Sequence, residues 1–185
     1  SDLLKEIKLK LKIPLNLEIA ATNEMLKIAI RHKPKYVCIV PEKRKEVTTE
    51  GGLNLSYKKI FLKKIITKLK KNSRVSLFIE PSIKDIKTSK ELGVDGIEFH
   101  TGKICNLINQ KKSFKQELSK ISKAVNYATD LGIDVHAGHG LTYKSAKIIS
   151  KIKKIKEFNI GHFLIGESIY IGLPAAIKKF QKILK

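Results

Sequence analysis

Arginine is scarce in this chain: Arg31, Arg44 and Arg74 are the three arginines of a sequence whose formal net charge is +21. The charge is carried by lysine, scattered as Lys63-Lys64, Lys70-Lys71, Lys111-Lys112, Lys153-Lys154 and Lys178-Lys179. Aromatic residues amount to 6% and are not interleaved with the lysines. A single-strand nucleic-acid binder needs that interleaving to stack bases. The lysines therefore read as solvated helix faces, with at most a positive field that draws in anionic substrates. Nucleic acid is not an expected partner; a basic nucleic-acid-binding module is the alternative resting on charge alone, tested by a salt-sensitive gel shift. Cysteine is equally scarce. Cys38 and Cys105 form no Cys-x-x-Cys pair and cannot make a disulfide framework. Both are expected to be reduced, with Cys38 packed inside an apolar run. No grouping of His, Cys and carboxylates has metal-ligand spacing, and no Gly-x-Gly-x-x-Gly or phosphate-loop motif occurs. No metal and no nucleotide are expected. No apolar run approaches the ~20 residues that span a bilayer. The opening Ser1-Asp2-Leu3-Leu4-Lys5-Glu6 lacks a signal-peptide core. No membrane contact is expected, and the cytoplasm is the expected location.

What is present is alternation. Six strand-like runs each end in a polar tip, and most are followed by a helix-like run. The tips are Asn16-Leu17-Glu18, Pro41-Glu42-Lys43, Glu80-Pro81, Glu98-Phe99-His100, Ala137-Gly138-His139-Gly140 and Asn159-Ile160-Gly161-His162. Helices are expected over Asp2–Lys12, from a Thr22 cap, over Lys58–Lys71, from a Ser82 cap to about Glu91, over Lys115–Asp130, and from Thr142 to about Ile155. A last helical stretch is broken at Pro174. Residues 41–55 and 101–113 read as long polar connections, the sixth strand as Phe158–Gly161. With 185 residues and 42% apolar content, one domain with a real core is expected. Six parallel strands fit an open doubly wound sheet, or most of a (β/α)8 barrel. In either, chemistry gathers where strands end.

Those ends collect acids, imidazoles and glycines. Glu18 lies among Leu15, Leu17, Ile19 and Ala20. There it is either a strand-end acid paired with a lysine or a desolvated base with a raised pKa. Glu98 and His100 are two apart in a strand and share a face. His139 stands between Gly138 and Gly140, where the backbone can turn sharply towards a ligand. Gly161-His162 precedes a helix whose first amides suit a phosphate. A parse with His162–Ile165 as a strand would remove that role. Thr48-Thr49-Glu50-Gly51-Gly52 suits a lid over a phosphorylated substrate, or a mobile surface loop.

Five segments then resemble the pyridoxine 5′-phosphate synthase family. They are Asn16-Leu17-Glu18-Ile19-Ala20, Val40 to Arg44 with Glu46 to Leu53, Ile97 to Gly102, Ala137 to Leu141, and Asn159 to His162. The resemblance runs from about Asp2 to the C-terminus. It implies a single-domain (β/α)8 barrel over residues 1–185. It implies a transferase that condenses 1-deoxy-D-xylulose 5-phosphate with 3-amino-2-oxopropyl phosphate, giving pyridoxine 5′-phosphate, phosphate and water. No metal or organic cofactor is implied. The partners implied are the phosphorylated small molecules and further copies of the chain, assembled through dimers into an octamer. By motif, Glu18 matches the proton acceptor, Glu98 a transition-state stabiliser and His139 the proton donor. Thr48 matches a contact to the deoxyxylulose phosphate. Gly140, Gly161 and His162 match the aminoketone phosphate site. The family begins with two more strands, so this sequence is expected to hold six of the eight, N-terminally incomplete, and to be inactive or poorly folded if it stands alone. His136 stands where the family usually has asparagine. The nearest alternative enzyme is a sugar-phosphate isomerase or epimerase on the same kind of barrel.

Overall fold

The computed structural model describes residues 2–41, 51–56 and 59–185. Two compact units divide the chain, Ser1–Glu98 and Phe99–Lys185. The strands are parallel where their register is resolved, and they follow one another in the sheet in chain order. Among the described residues the alternation of strand and helix is the β/α repeat of a partial (β/α)8 barrel, as expected.

The first unit runs α1 (Asp2–Lys10), β1 (Asn16–Ala20), α2 (Asn23–His32), β2 (Tyr36–Val40), α3 (Lys59–Leu69), β3 (Arg74–Ile79) and α4 (Ile83–Leu92). It closes with the start of β4 (Gly96–His100). Strand register explains its layering. Leu17, Val37 and Val75 lie side by side, as do Ile19, Ile39 and Leu77, on one face of the sheet. The helices bring matching apolar stripes: Leu26 and Ala29 on α2, Leu62, Ile65, Ile66 and Leu69 on α3, Ile86 and Leu92 on α4. Each such aliphatic side chain, fully buried, contributes about 1.5–3 kcal/mol relative to exposure. Between these rows fall Glu18, Cys38 and Ser76, which therefore point to the opposite face.

The expected caps are present. Thr22 and Ser82 accept hydrogen bonds from the amides of Met25 and Asp85. Gly93 ends α4 in the left-handed region, φ 78°. Lysines serve the same helix end: Lys63 Nζ donates to the carbonyls of Glu91 and Leu92, both at 2.9 Å, and Lys70 Nζ to that of Gly93 at 2.7 Å. Cations there complement the helix dipole, which gives part of the lysine excess a structural use.

The second unit holds the end of β4, then α5 (Gly102–Asn109), α6 (Lys115–Asp130), β5 (Asp134–Gly138), α7 (Tyr143–Ile149), β6 (Ile155–Asn159), α8 (His162–Ile171) and α9 (Leu173–Leu184). Three expectations need correction. The connection after residue 101 is largely α5, whose Ile104, Cys105 and Ile108 are buried on one side. Helix α7 ends at Ile149 rather than near Ile155, and the sixth strand is β6 at Ile155–Asn159 rather than Phe158–Gly161, because a lysine-rich turn between them gives no periodic signal. The break expected at Pro174 falls at Gly172, φ 79°, and Pro174 sits in the first turn of α9 where its missing N–H costs nothing. The parse with a strand over 162–165 is overturned, since those residues open α8. Thr142 caps α7 as expected, in a reciprocal box with Ser145. Among the described residues, no helix is long and apolar enough to cross a membrane, and no group of His, Cys, Asp and Glu could hold a metal ion.

Candidate active site

In the first unit the polar row of the sheet is the feature that carries chemistry. Glu18 on β1, Cys38 on β2 and Ser76 on β3 are register partners. Glu98, on the first half of β4, is 4% exposed, and Cys38 is fully buried. The Cys38 thiol donates to Glu98 Oε2, with 3.6 Å between sulfur and oxygen. Burial raises the Cys38 pKa well above the ordinary thiol range, and the charges of Glu98 and Glu18 push it the same way. A side-chain hydrogen bond with Ser76 opposes them. Both glutamates singled out in the sequence thus act on one thiol. The expected desolvation of Glu18 is not seen: its side chain is exposed on β1, while Glu98 is the buried acid.

At the top of β3 the chain returns past the strand end. Leu53 N–H donates to Phe78 O at 2.8 Å, and Gly52 N–H to Glu80 Oε1 at 3.1 Å. A Cβ on Gly52 would lie 2.5 Å from the carbonyl carbon of Ile79, so only glycine passes there. Glu80 is thereby fixed as an anchor for the segment that carries the predicted lid. Thr48 and residues 42–50 lie outside the described residues.

In the second unit His139 follows β5 and is half-buried. Its φ of 74° and that of Gly140, 76°, make two consecutive left-handed residues. For a histidine that conformation is strained, and such strain concentrates at functional sites. The turn is held by Thr101, which is fully buried. Its N–H donates to Gly138 O at 2.8 Å, and its hydroxyl is shared between Gly138 O at 2.8 Å and His139 O at 2.7 Å. His100 and His139 face each other with ring centroids 4.7 Å apart. Burial lowers the His139 pKa, and a positive charge on His100 would lower it further. At neutral pH the pair therefore holds a neutral imidazole at position 139.

Gly102 is a residue whose role the sequence did not reveal. A Cβ there would stand 2.7 Å from His100 Nε2 and 2.9 Å from His139 Cδ2. The imidazole pair rests on the bare α-carbon that opens α5. Gly102→Ala is expected to keep the unit folded, because the clashing atoms are ring ends that can rotate away. It should nevertheless spread the two rings and lower turnover at least about tenfold, the size of effect that misplacing an acid or base produces. Circular dichroism and steady-state rates on one preparation check this; unchanged rates would deny the pair its role.

Gly161 and His162 are both exposed. Gly161 is the N-cap of α8 and offers no side-chain cap, so the first-turn amides after it are left for another acceptor. His162 is the first residue of that helix. His136 on β5 lies opposite Glu157 on β6, with 3.8 Å between Nδ1 and Oε1, next to a register shift at Val135/His136.

Comparison with known proteins adds a consistent result. A family described as "Pyridoxal phosphate biosynthesis protein PdxJ" matches residues 1–185. A "Pyridoxine 5'-phosphate synthase" of Pelagibacter ubique (strain HTCC1062) is 55% identical over 184 residues, 99% of this chain and 77% of its own length. One of the same description from Zymomonas mobilis subsp. mobilis is 50% identical over 173 residues, 93% of this chain and 67% of its own. Among solved structures, an EAL domain protein from Listeria monocytogenes EGD-e superposes with a TM-score of 0.54 at 18% identity, over 84% of this chain and 61% of that one. That likeness is one of fold alone.

Proposed function

The chain belongs to the PdxJ family of pyridoxal phosphate biosynthesis proteins, and from that premise we propose that it is a pyridoxine 5′-phosphate synthase. In this reading it joins 1-deoxy-D-xylulose 5-phosphate to 3-amino-2-oxopropyl phosphate and releases phosphate and water. The observation that carries the reading is the 55% identity over 99% of the chain to a protein of that description.

The residues present suit the chemistry. An amine must add to a ketone, water and phosphate must leave, and a ring must become aromatic. Each step moves a proton near neutral pH, which calls for carboxylates and imidazoles rather than one strong nucleophile. Glu18 serves as the proton acceptor: exposed on β1, it is open to a substrate. Glu98, buried and hydrogen-bonded, is a carboxyl group held in place to stabilise a transition state. His139 starts neutral because burial depresses its pKa. It therefore takes up a proton before returning one to a leaving oxygen. Gly140 and the uncapped amides after Gly161, with His162 beside them, hold the aminoketone phosphate. Thr48 contacts the other phosphate. The chain works in the cytoplasm as a homo-oligomer.

Incubation of the full-length protein with both phosphates, followed by mass detection of pyridoxine 5′-phosphate, tests the reading. Product should form with the pair and with neither compound alone. Turnover of a phosphosugar without the aminoketone would overturn it in favour of an isomerase or epimerase.

A further inference from the structure

We propose that Cys38 is a positioning residue for the reaction: its thiol holds the carboxyl group of Glu98 in one orientation. The proposal rests on the reading of Glu98 as a group that acts on the reacting substrate.

Glu98 is 4% exposed, and a buried carboxylate needs donors directed at its oxygens. Cys38 supplies one at 3.6 Å, from the neighbouring polar row, with Glu18 as its register partner on one side and Ser76 on the other. The thiol is a donor only while protonated. Burial and the two nearby carboxylates keep it so, since a thiolate there would face two like charges. Donation to a carboxylate favours the ionised form. The S–H group is also a weak donor. It can therefore orient the anion while leaving most of the carboxylate's accepting power for a substrate, where a stronger donor would quench it. Packing alone does not account for the arrangement. Cys38 does adjoin Val40 and Phe78 in a buried cluster, but packing does not require its sulfur to meet a carboxylate oxygen, as it does at Glu98.

The test uses the intact chain with Cys38→Ser, Cys38→Ala, Cys38→Val and Glu98→Gln, read by kcat, KM, the pH profile of kcat and the infrared S–H stretch. The Cys38 band is identified by its loss in Cys38→Ala. In Glu98→Gln that band should move to higher frequency, because the acceptor has lost its charge. Cys38→Ala and Cys38→Val should lower kcat about tenfold, the worth of one hydrogen bond to a charged group, with KM nearly unchanged. The acid limb of their pH profiles should move to higher pH, whereas Cys38→Ser, a stronger donor, should return that limb to the wild-type position or below it while recovering only part of kcat. Wild-type kcat and an unmoved acid limb in both Cys38→Ala and Cys38→Val would overturn the proposal. So would a Cys38 band indifferent to Glu98→Gln. If Glu98→Gln itself turns over normally while the band shifts, the contact is real but the catalytic reading of Glu98 falls, and the proposal falls with it.

Discussion

Replacing His139 by alanine is expected to abolish product formation while leaving the fold in place. A well-placed acid or base contributes about 10²–10⁴-fold, and the adjacent imidazole of His100 is carried by another strand, with its ring centroid 4.7 Å away. The structural risk is the backbone rather than the ring: position 139 has φ 74°. Asparagine tolerates that region better than alanine, so His139→Asn is the companion variant, equally inactive and better folded. Near-normal turnover in either would remove His139 from the mechanism. The same imidazole predicts a pH effect on stability. Its folded pKa is lowered by burial and then by His100, so the unfolded chain binds the proton more tightly than the folded one. Stability from this group is full above the unfolded histidine value, about 6.5, and is lost as pH falls through the lower folded value. The wild-type melting temperature should thus drop between neutral pH and mildly acidic pH, and His139→Asn should drop less. Identical losses in the two proteins would assign the acid sensitivity elsewhere.

How far the sequence alone carries this picture depends on which physical signal each part leaves. Strands such as β2 were legible because parallel strands covered on both faces are short apolar runs, as Val37 to Val40 shows. The caps at Thr22, Ser82 and Thr142 were legible because a hydroxyl before a periodic segment has a local cause. Helix α5 was not. Its Gly102 start and its polar neighbours resemble a loop, and the burial of Ile104, Cys105 and Ile108 comes from packing with other elements. The site divides in the same way. Glu98 and His139 stood out as polar groups at apolar strand ends. The thiol of Cys38 did not, since a cysteine in an apolar run reads as filler until strand register sets it beside two glutamates. Gly102 was invisible for a deeper reason: its value lies in an atom it lacks, and only coordinates show what that atom would strike.

Glu18→Gln is expected to lower turnover at least ~10²-fold, as loss of a general base does. Glutamine keeps the length and shape of the side chain and removes its ability to accept a proton, and the β1–β2 pairing at Glu18 and Cys38 is a backbone matter that the change leaves alone. Since Glu18 is exposed, the substitution adds no buried polar group, so the melting temperature should stay close to that of the wild type. KM for the two phosphates should change little, because the group is assigned to proton transfer rather than to phosphate binding. Glu18→Asp separates charge from reach: it keeps the base but withdraws it by one methylene, and should fall between the wild type and Glu18→Gln. If the exposed carboxylate merely pairs with a surface lysine, all three proteins will turn over alike and salt will blur what difference there is. A large loss in Glu18→Gln at constant melting temperature, partly regained in Glu18→Asp, is the pattern that only a working base produces.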